Sequence, residues 1–178
     1  TDALPLLVVV PIVLALVPVA AGRLRENTGW IAAAVAAVVH LGLSASVALT
    51  VRSAGRVSYA VGGYVPPFGI ELVADGVSAA LVVLVSAVTL AVVVYARAAG
   101  PRSNIFYSEL LVLTAGISGM FVTADLFNLY VFLEITGLAT YALVATGRSP
   151  AAALAALKYL LVGTIGASLY LLGVGYLY

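Results

Sequence analysis

Charged residues are scarce in this chain of 178 residues. Only 8% of the residues are Asp, Glu, Lys or Arg, whereas soluble domains carry roughly 25%. In contrast, 64% of the residues are hydrophobic, and the mean hydropathy is +1.21. This composition excludes a soluble domain and indicates an integral membrane protein.

Cysteine is absent, and there is a single histidine, His40. Disulfides and thiolate metal sites are therefore excluded, and one histidine without cysteine provides no zinc or haem constellation. The chain also lacks a glycine-rich phosphate loop, and its net charge of +1 provides no basic patch for nucleic acid. We expect no cofactor, no metal and no nucleic-acid partner.

Long apolar runs are what the sequence does contain. A helix needs about 20 residues to cross roughly 30 Å of hydrocarbon, and no run alternates with the period of two that a membrane β-barrel requires. The sequence therefore predicts an all-α polytopic membrane protein with no strands of note. Its six transmembrane helices are expected at about 4–21, 29–51, 72–97, 104–123, 126–146 and 150–177.

The connections between these runs carry recognisable turn chemistry. In the last connection, Gly147 is expected to stop a helix, Ser149 to cap the next one and Pro150 to occupy its first turn. Residues 52–72 are rich in Gly, Pro and Tyr, which predicts an ordered loop at the membrane interface. Residues 123–125 leave room only for a tight hairpin between the fourth and fifth spans.

The arginines predict the orientation in the membrane. Five lie on one side, in connections one, three and five, and two lie on the other side. By the positive-inside rule, the N-terminus is expected outside and the arginine-rich side in the cytoplasm. The first group is Arg23, Arg25, Arg97, Arg102 and Arg148, and the second is Arg52 and Arg56.

Two charged residues are embedded within predicted spans. Glu134 lies near the middle of the fifth span, where an unpaired carboxylate costs at least a few kcal/mol. Lys158, the only lysine, lies within the sixth span, whereas every arginine lies at a span end or in a connection. A desolvated lysine can release its proton near neutral pH and an arginine cannot. Glu134 and Lys158 are therefore the candidate proton-transfer residues.

Their depths predict that the two residues lie near each other. Glu134 is 13 residues before Gly147 and Lys158 is nine after Ser149, or roughly 20 Å and 13 Å from the same turn. An offset of one to two helical turns allows a direct or water-bridged contact. The alternative is a structural salt bridge, with Lys158 partly snorkelling to the interface.

Other polar residues have more ordinary interpretations. Tyr130 and Tyr141 share the face of Glu134 and are expected to support its carboxylate. Asp125 projects to the opposite face and is expected to be a helix N-terminal acid. Glu71 and Asp75 are expected in the same role before the third span, and Glu109 at an interface. His40 is expected to donate a hydrogen bond between helices.

Three blocks of the sequence resemble a known family. They are "GGYVPPFGIELVADGVSA" (62–79), "GISGMFVTADLFNLYVFLEITGLATYAL" (116–143) and "AALKYLLVGTIGASLYLLGVGYLY" (155–178). They are similar to the antiporter-like subunits shared by Mrp-type cation/proton antiporters, respiratory complex I and membrane-bound hydrogenases. The Mrp D subunit is the most similar of these.

The resemblance implies roles for particular residues. The fifth-span glutamate of a proton-input half-channel matches Glu134, the sixth-span lysine matches Lys158, and the fifth-span aspartate matches Asp125. The family element before the third span matches Phe68, Gly69, Ile70, Asp75 and Ser78.

The resemblance also implies a longer protein. Family subunits have around fourteen spans built on two inverted five-helix repeats, so this chain corresponds to the N-terminal part, as a fragment or as one piece of a split subunit. Residues 1–103 would form an N-terminal three-helix membrane segment. Residues 104–178 would form the truncated start of the first repeat.

Three functions follow from these observations. The leading hypothesis is a proton-translocating, non-enzymatic subunit of an Mrp-type Na⁺/H⁺ antiporter in the cell membrane, where its partners are other subunits, lipid, protons and monovalent cations. The alternative is a proton-pumping subunit of a complex I-like NADH/quinone oxidoreductase or a membrane-bound hydrogenase. The third hypothesis is a structural membrane scaffold.

Overall fold

Helices dominate the computed structural model, which describes residues 2–24, 28–64, 68–147 and 149–177. Within these residues, six helices are long and apolar enough to cross a membrane, as the sequence predicts. They are α1 (Leu6–Leu24), α2 (Gly29–Ala54), α3 (Gly76–Ala99), α4 (Asn104–Val122), α5 (Leu126–Ala145) and α6 (Pro150–Gly175).

The predicted all-α class is confirmed, and a small β-sheet that the sequence did not predict lies between α2 and α3. Strand β1 (Val57–Ala60) pairs antiparallel with β2 (Glu71–Ala74). The third helix consequently begins at Gly76 rather than near residue 72. The physical reason is that a loop ordered at a membrane surface must pair its backbone N–H and C=O groups, and a two-stranded ladder does so. The prediction of an ordered loop is confirmed for its described residues.

Strand β2 also holds the connection between α4 and α5. The backbone N–H of Ala124 donates to the Glu71 carbonyl at 2.9 Å, and Thr123 pairs with Leu72 in an isolated β-bridge. Because α4 ends at Val122 and α5 begins at Leu126, the predicted tight hairpin is confirmed. Its turn is stabilised by the sheet.

The core lies within the bundle of α1 to α4, in which α4 packs against each of the other three helices. One apolar cluster lies near the sheet and the other lies near the opposite end. The first contains Leu4, Leu7, Val47, Val51, Leu72, Ala74, Ala79, Val82 and Val122. The second contains Ala15, Ala33, Ala36, Val93, Ala96, Tyr107, Leu110 and Leu111.

A buried polar layer crosses the same bundle. His40 of α2 is 1% exposed, and its Nε2 donates to the Leu7 carbonyl of α1 at 3.0 Å. Its Nδ1 lies 2.8 Å from the Ser86 hydroxyl of α3. Thr89 and Thr114 join α3 to α4 at 2.8 Å. The prediction that His40 donates a hydrogen bond between helices is confirmed.

Helices α5 and α6 lie at the edge of this bundle. Helix α5 packs against α4 through Gly116 and Gly119, where an added Cβ would overlap Thr136 and the ring of Phe132. Helix α6 packs mainly against α5, and only 6% of the residues in its most apolar stretch are buried. The outer face of α6 is therefore uncovered in this chain.

Candidate proton-transfer site

Side-chain caps set where α5 and α6 begin. Asp125 accepts a hydrogen bond from the backbone N–H of Asn128, so the expected role of a helix N-terminal acid is confirmed. Ser149 accepts from the backbone N–H of Ala152 at 3.0 Å, and Pro150 occupies the first turn of α6. The predictions for Ser149 and Pro150 are confirmed, whereas α5 ends at Ala145 with Thr146 as its C-cap, two residues before Gly147. Arg148 lies outside the described residues.

A groove of about 450 Å³ runs between α5 and α6. Glu134 is half-buried in its wall and is the one carboxylic acid among the residues that line it. The lining residues are Leu133, Glu134, Thr136, Gly137, Thr140, Tyr141, Tyr159, Val162, Gly163, Gly166, Ala167 and Tyr170. The groove therefore presents a carboxylate, three phenol hydroxyls and two threonine hydroxyls at the depth of the membrane spans.

Two tyrosine pairs form the ends of the groove. Tyr141 packs edge-on against Tyr159, with ring centroids 5.2 Å apart, and a Cβ added at Gly163 would overlap the Tyr141 hydroxyl. At the other end, Tyr130 stacks on Tyr170 with centroids 6.5 Å apart. These contacts fix the register of α6 against α5.

The predicted supporting tyrosines lie near Glu134 without bonding to it. Tyr141 lines the groove and is close enough to the Glu134 carboxylate to interact with it electrostatically. Tyr130 stacks on Tyr170, whose hydroxyl donates to the Leu126 carbonyl at 3.1 Å. Among the described side chains, neither predicted tyrosine donates a hydrogen bond to the carboxylate. Their role in supporting Glu134 stays a prediction.

Lys158 lies outside the groove. It is exposed, and it precedes the groove-lining Tyr159 by one residue, which is about 100° around the helix. Within the described part of the chain, no ion pair within 4.0 Å joins Lys158 to Glu134. The structure thus does not bring the two predicted residues into direct contact.

The register of the two helices explains this separation. Tyr141 lies opposite Gly163 and Leu126 lies opposite Tyr170, so Glu134 lies at about the level of Gly166. Lys158 is eight residues from that level, or about 12 Å along the axis. This offset exceeds the one to two turns inferred from connection lengths, because depth counted from a turn ignores how the helices are staggered by side-chain packing.

A second cavity, of about 500 Å³, contains another part of the predicted constellation. Asp125 lines it together with Phe68, Gly69 and Ile70, residues that are far from Asp125 in the sequence. Strand β2 follows them and pairs with Thr123 and Ala124, which brings them to the start of α5. Asp125 lies nine positions before Glu134 and does not line the groove.

Asp75 and Ser78 form a capping box at the start of α3. The Asp75 carboxylate accepts from the backbone N–H of Ser78 at 2.8 Å, and the Asp75 N–H donates to the Ser78 hydroxyl at 2.8 Å. The carboxylate also accepts from the Ser78 hydroxyl at 3.0 Å. The two hydrogen bonds that the carboxylate accepts from Ser78 lower the pKa of Asp75, since they stabilise its charged form. The expected role of Asp75 at a helix start is confirmed.

Sequence reasoning missed the α6 side of the groove. Tyr159, Gly163, Gly166 and Tyr170 follow one another at spacings of four, three and four residues, which places them on one helical face. That periodicity is the signal in the sequence that marks this face. No three His, Cys, Asp or Glu side chains cluster as metal ligands would, in the part of the chain that the structure describes.

The fold and the groove define a polytopic membrane protein with an embedded carboxylate. Residues 123–178 match the family described as NADH:quinone oxidoreductase/Mrp antiporter, transmembrane. NADH-quinone oxidoreductase subunit N of Desulforudis audaxviator is 45% identical over 180 residues, covering 97% of this chain and 36% of the relative. The D subunit of the Na(+)/H(+) antiporter of Bacillus subtilis is 34% identical over 146 residues, covering 80% and 30%.

Solved structures agree. The membrane-bound sulfane sulfur reductase, an archaeal respiratory membrane complex, contains a chain that superposes with a TM-score of 0.89 at 27% identity, covering 97% of this chain and 36% of the other. The Mrp complex from Dietzia sp. DQ12-45-1b gives a TM-score of 0.87 at 29% identity, covering 97% and 33%.

Residues 123–178 thus match this family, and along most of its length the chain is similar to antiporter-like membrane subunits of NADH:quinone oxidoreductases and Mrp antiporters. It spans about a third of the length of these relatives.

Proposed function

We propose that this chain is a proton-translocating subunit of a multisubunit membrane complex, with Glu134 as the group that takes up and releases the proton. The observation that carries the proposal is the position of Glu134, a half-buried carboxylate in a groove lined by hydroxyl groups. It lies within a membrane span and has no cation against it among the described residues. A carboxylate in such a place is costly when charged, so an ionisable residue within a span is a candidate functional group.

Lys158 acts on Glu134 through space rather than through contact. At about 12 Å and an effective dielectric constant of about 20, two unit charges interact by at most about 1.4 kcal/mol. That energy corresponds to a factor of about ten in a protonation equilibrium. Protonation of Glu134 would therefore favour loss of the proton from Lys158 by up to that factor. Coupling of this size biases proton transfer without holding the two charges together.

We infer an Mrp-type Na⁺/H⁺ antiporter of the cell membrane as the parent complex, with the N-terminus outside and the other antiporter subunits as partners. The Bacillus subtilis antiporter relative supports this inference, as does the superposition on the Mrp complex. A complex I-like redox pump is the second candidate, and a specific observation favours it. The Desulforudis audaxviator oxidoreductase relative shows the higher identity over more of this chain.

The experiment on the site measures proton transport in inverted membrane vesicles that contain the native assembly. Glu134→Gln keeps size and hydrogen bonding but carries no charge, and we expect at least about a tenfold loss of transport. Lys158→Arg keeps a charge but cannot release a proton, and a comparable loss is expected. Glu71→Gln, a change of an acid at the strand end outside the groove, is the matched control and should transport normally.

Each outcome separates the hypotheses when the complex is present at normal levels. Wild-type transport by Glu134→Gln would refute the proposed site and favour the scaffold. Loss with Glu134→Gln but normal transport with Lys158→Arg would leave Glu134 as the only titrating group. Two additions distinguish the parent complexes. A pH change driven by Na⁺ indicates an antiporter, and a pH change driven by NADH with a quinone indicates a redox pump.

A further inference from the structure

A small polar cavity lies at the end of the bundle opposite the sheet, away from the groove. It measures about 190 Å³ and is lined by Trp30, Arg97, Arg102 and Tyr107. These residues come from the start of α2, the end of α3, the α3–α4 connection and the first turns of α4. The cavity therefore lies where three helices reach the membrane surface.

The phenol of Tyr107 makes this cavity unusual. Tyr107 is 1% exposed, yet its hydroxyl has no hydrogen-bond partner among the described residues. Burying a hydroxyl without a partner is unfavourable. The ring itself is well held, since it packs edge-on against Phe106 with centroids 5.4 Å apart. Tyr107 thus lines the cavity, and the hydrogen-bonding capacity of its hydroxyl is unused among the described residues.

Two guanidinium groups face the same space. Arg97 lies over the Trp30 ring, 5.1 Å from its centroid, and Arg102 donates one N–H to the Ala98 carbonyl at 3.1 Å. Both are near enough to interact electrostatically with the Tyr107 phenol. In the described chain neither forms an ion pair with a carboxylate, so most of their donors remain available.

We propose that this cavity binds the phosphate of an anionic phospholipid headgroup. Arg97, Arg102 and Tyr107 supply donors and positive charge, which suits an anion with several acceptor oxygens and excludes a cation. The position at helix ends, with an indole beside the arginines, is where headgroups lie against a membrane protein. The cavity shares no lining residue with the Glu134 groove, so this proposal and the proposed function are tested independently.

The test measures bound lipid on the chain purified with its native partners. Native mass spectrometry after reconstitution in phosphatidylcholine nanodiscs containing phosphatidylglycerol should show one retained phosphatidylglycerol per chain. Replacing both arginines (Arg97→Gln with Arg102→Gln) should weaken retention about tenfold or more, because two charge-assisted hydrogen bonds are lost. Tyr107→Phe should weaken it by a smaller factor. Arg23→Gln is the matched control, since this exposed arginine at the same end does not line the cavity.

Competition with inorganic phosphate tests whether the cavity binds a lipid headgroup or free phosphate. If phosphate added to the nanodiscs leaves phosphatidylglycerol bound, the lipid is the ligand. If phosphate displaces the lipid, the site is a general phosphate site and the lipid assignment is wrong. Equal retention by the wild type, both cavity variants and the control would overturn the site altogether. So would a cross-link from the cavity to a carboxylate of a neighbouring subunit, which would make it a protein contact.

Discussion

His40 shows how much one side chain contributes to the bundle. The Leu7 carbonyl can only accept, so Nε2 carries the hydrogen and Nδ1 accepts from Ser86 when the ring is neutral. This buried imidazole of α2 thus connects α1 and α3, and the Ser118 hydroxyl of α4 lies 3.5 Å from Nε2.

We predict that His40→Leu lowers the free energy of unfolding by about 1–3 kcal/mol, because the buried Leu7 carbonyl loses its donor. The Ser86 hydroxyl then keeps only the Val82 carbonyl, at 2.7 Å. Thermal unfolding of the purified protein in detergent measures the change. The control is Ser46→Ala, since the exposed Ser46 bonds only to the Leu43 carbonyl of its own helix. Equal stability of the two variants would show that the buried layer contributes no specific stabilisation.

Asp75 gives a prediction about pH. Its pKa is lowered by its bonds from Ser78, so the carboxylate stabilises the start of α3 above its unfolded-state pKa. The stabilisation is lost as the pH falls through the lower, folded-state pKa. Amide hydrogen exchange at Val77 and Ser78 should therefore accelerate in acid beyond its intrinsic pH dependence. Asp75→Asn keeps a capping side chain without a charge and should remove this added pH dependence. Its persistence in that variant would assign the effect to another group.

At the scale of elements, glycine positions decide how closely α5 and α6 approach. Gly163 accommodates the Tyr141 hydroxyl, whereas a Cβ at Gly166 would meet nothing within 4 Å. Both glycines line the groove, but only Gly163 has a neighbouring side chain that a methyl group would displace.

We predict that Gly163→Ala displaces Tyr141, widens the groove and reduces proton transport several-fold, while Gly166→Ala transports normally. Transport in inverted vesicles, normalised to the amount of assembled complex, is the measurement. A normal rate for Gly163→Ala would mean that the Tyr141–Tyr159 end of the groove is not needed for proton transfer.

The β-hairpin is the element that the sequence did not reveal. Each strand has only four residues, too few for an alternating pattern to be distinguished from an irregular loop. The pairing depends on α2 and α3 bringing the two segments side by side, which is a tertiary event.

At the scale of the whole molecule, the arginines separate to the two ends. Arg23, Arg97 and Arg102 lie at the end away from the sheet, and Arg52 and Arg56 lie at the sheet end. Arg25 and Arg148 lie outside the described residues. The predicted orientation, with the sheet outside and the N-terminus outside, remains to be tested.

Single-cysteine labelling tests this orientation directly, because the chain has no cysteine of its own. We predict that Tyr64→Cys reacts with an impermeant maleimide added outside intact cells. Pro101→Cys should react only after the membrane is opened. The reverse pattern would invert the topology and place the arginine-rich end outside.

The sequence by itself determined the number of helices, the hairpin at Thr123, the caps at Asp125 and Ser149, and the two embedded charges. These features follow from local chemistry, since apolar run length, capping side chains and helix breakers act within a few residues. The family resemblance likewise depends on residue order within short blocks.

Only the tertiary structure decided which of these residues meet. Helix stagger separated Lys158 from Glu134 by about 12 Å along the axis, and the packing of Tyr141 against Gly163 set that stagger. The convergence of three helix ends around Tyr107 also could not be predicted from the sequence. Contacts of this kind depend on the angular phase and axial shift of whole helices, which side-chain packing across the bundle determines and no local pattern encodes.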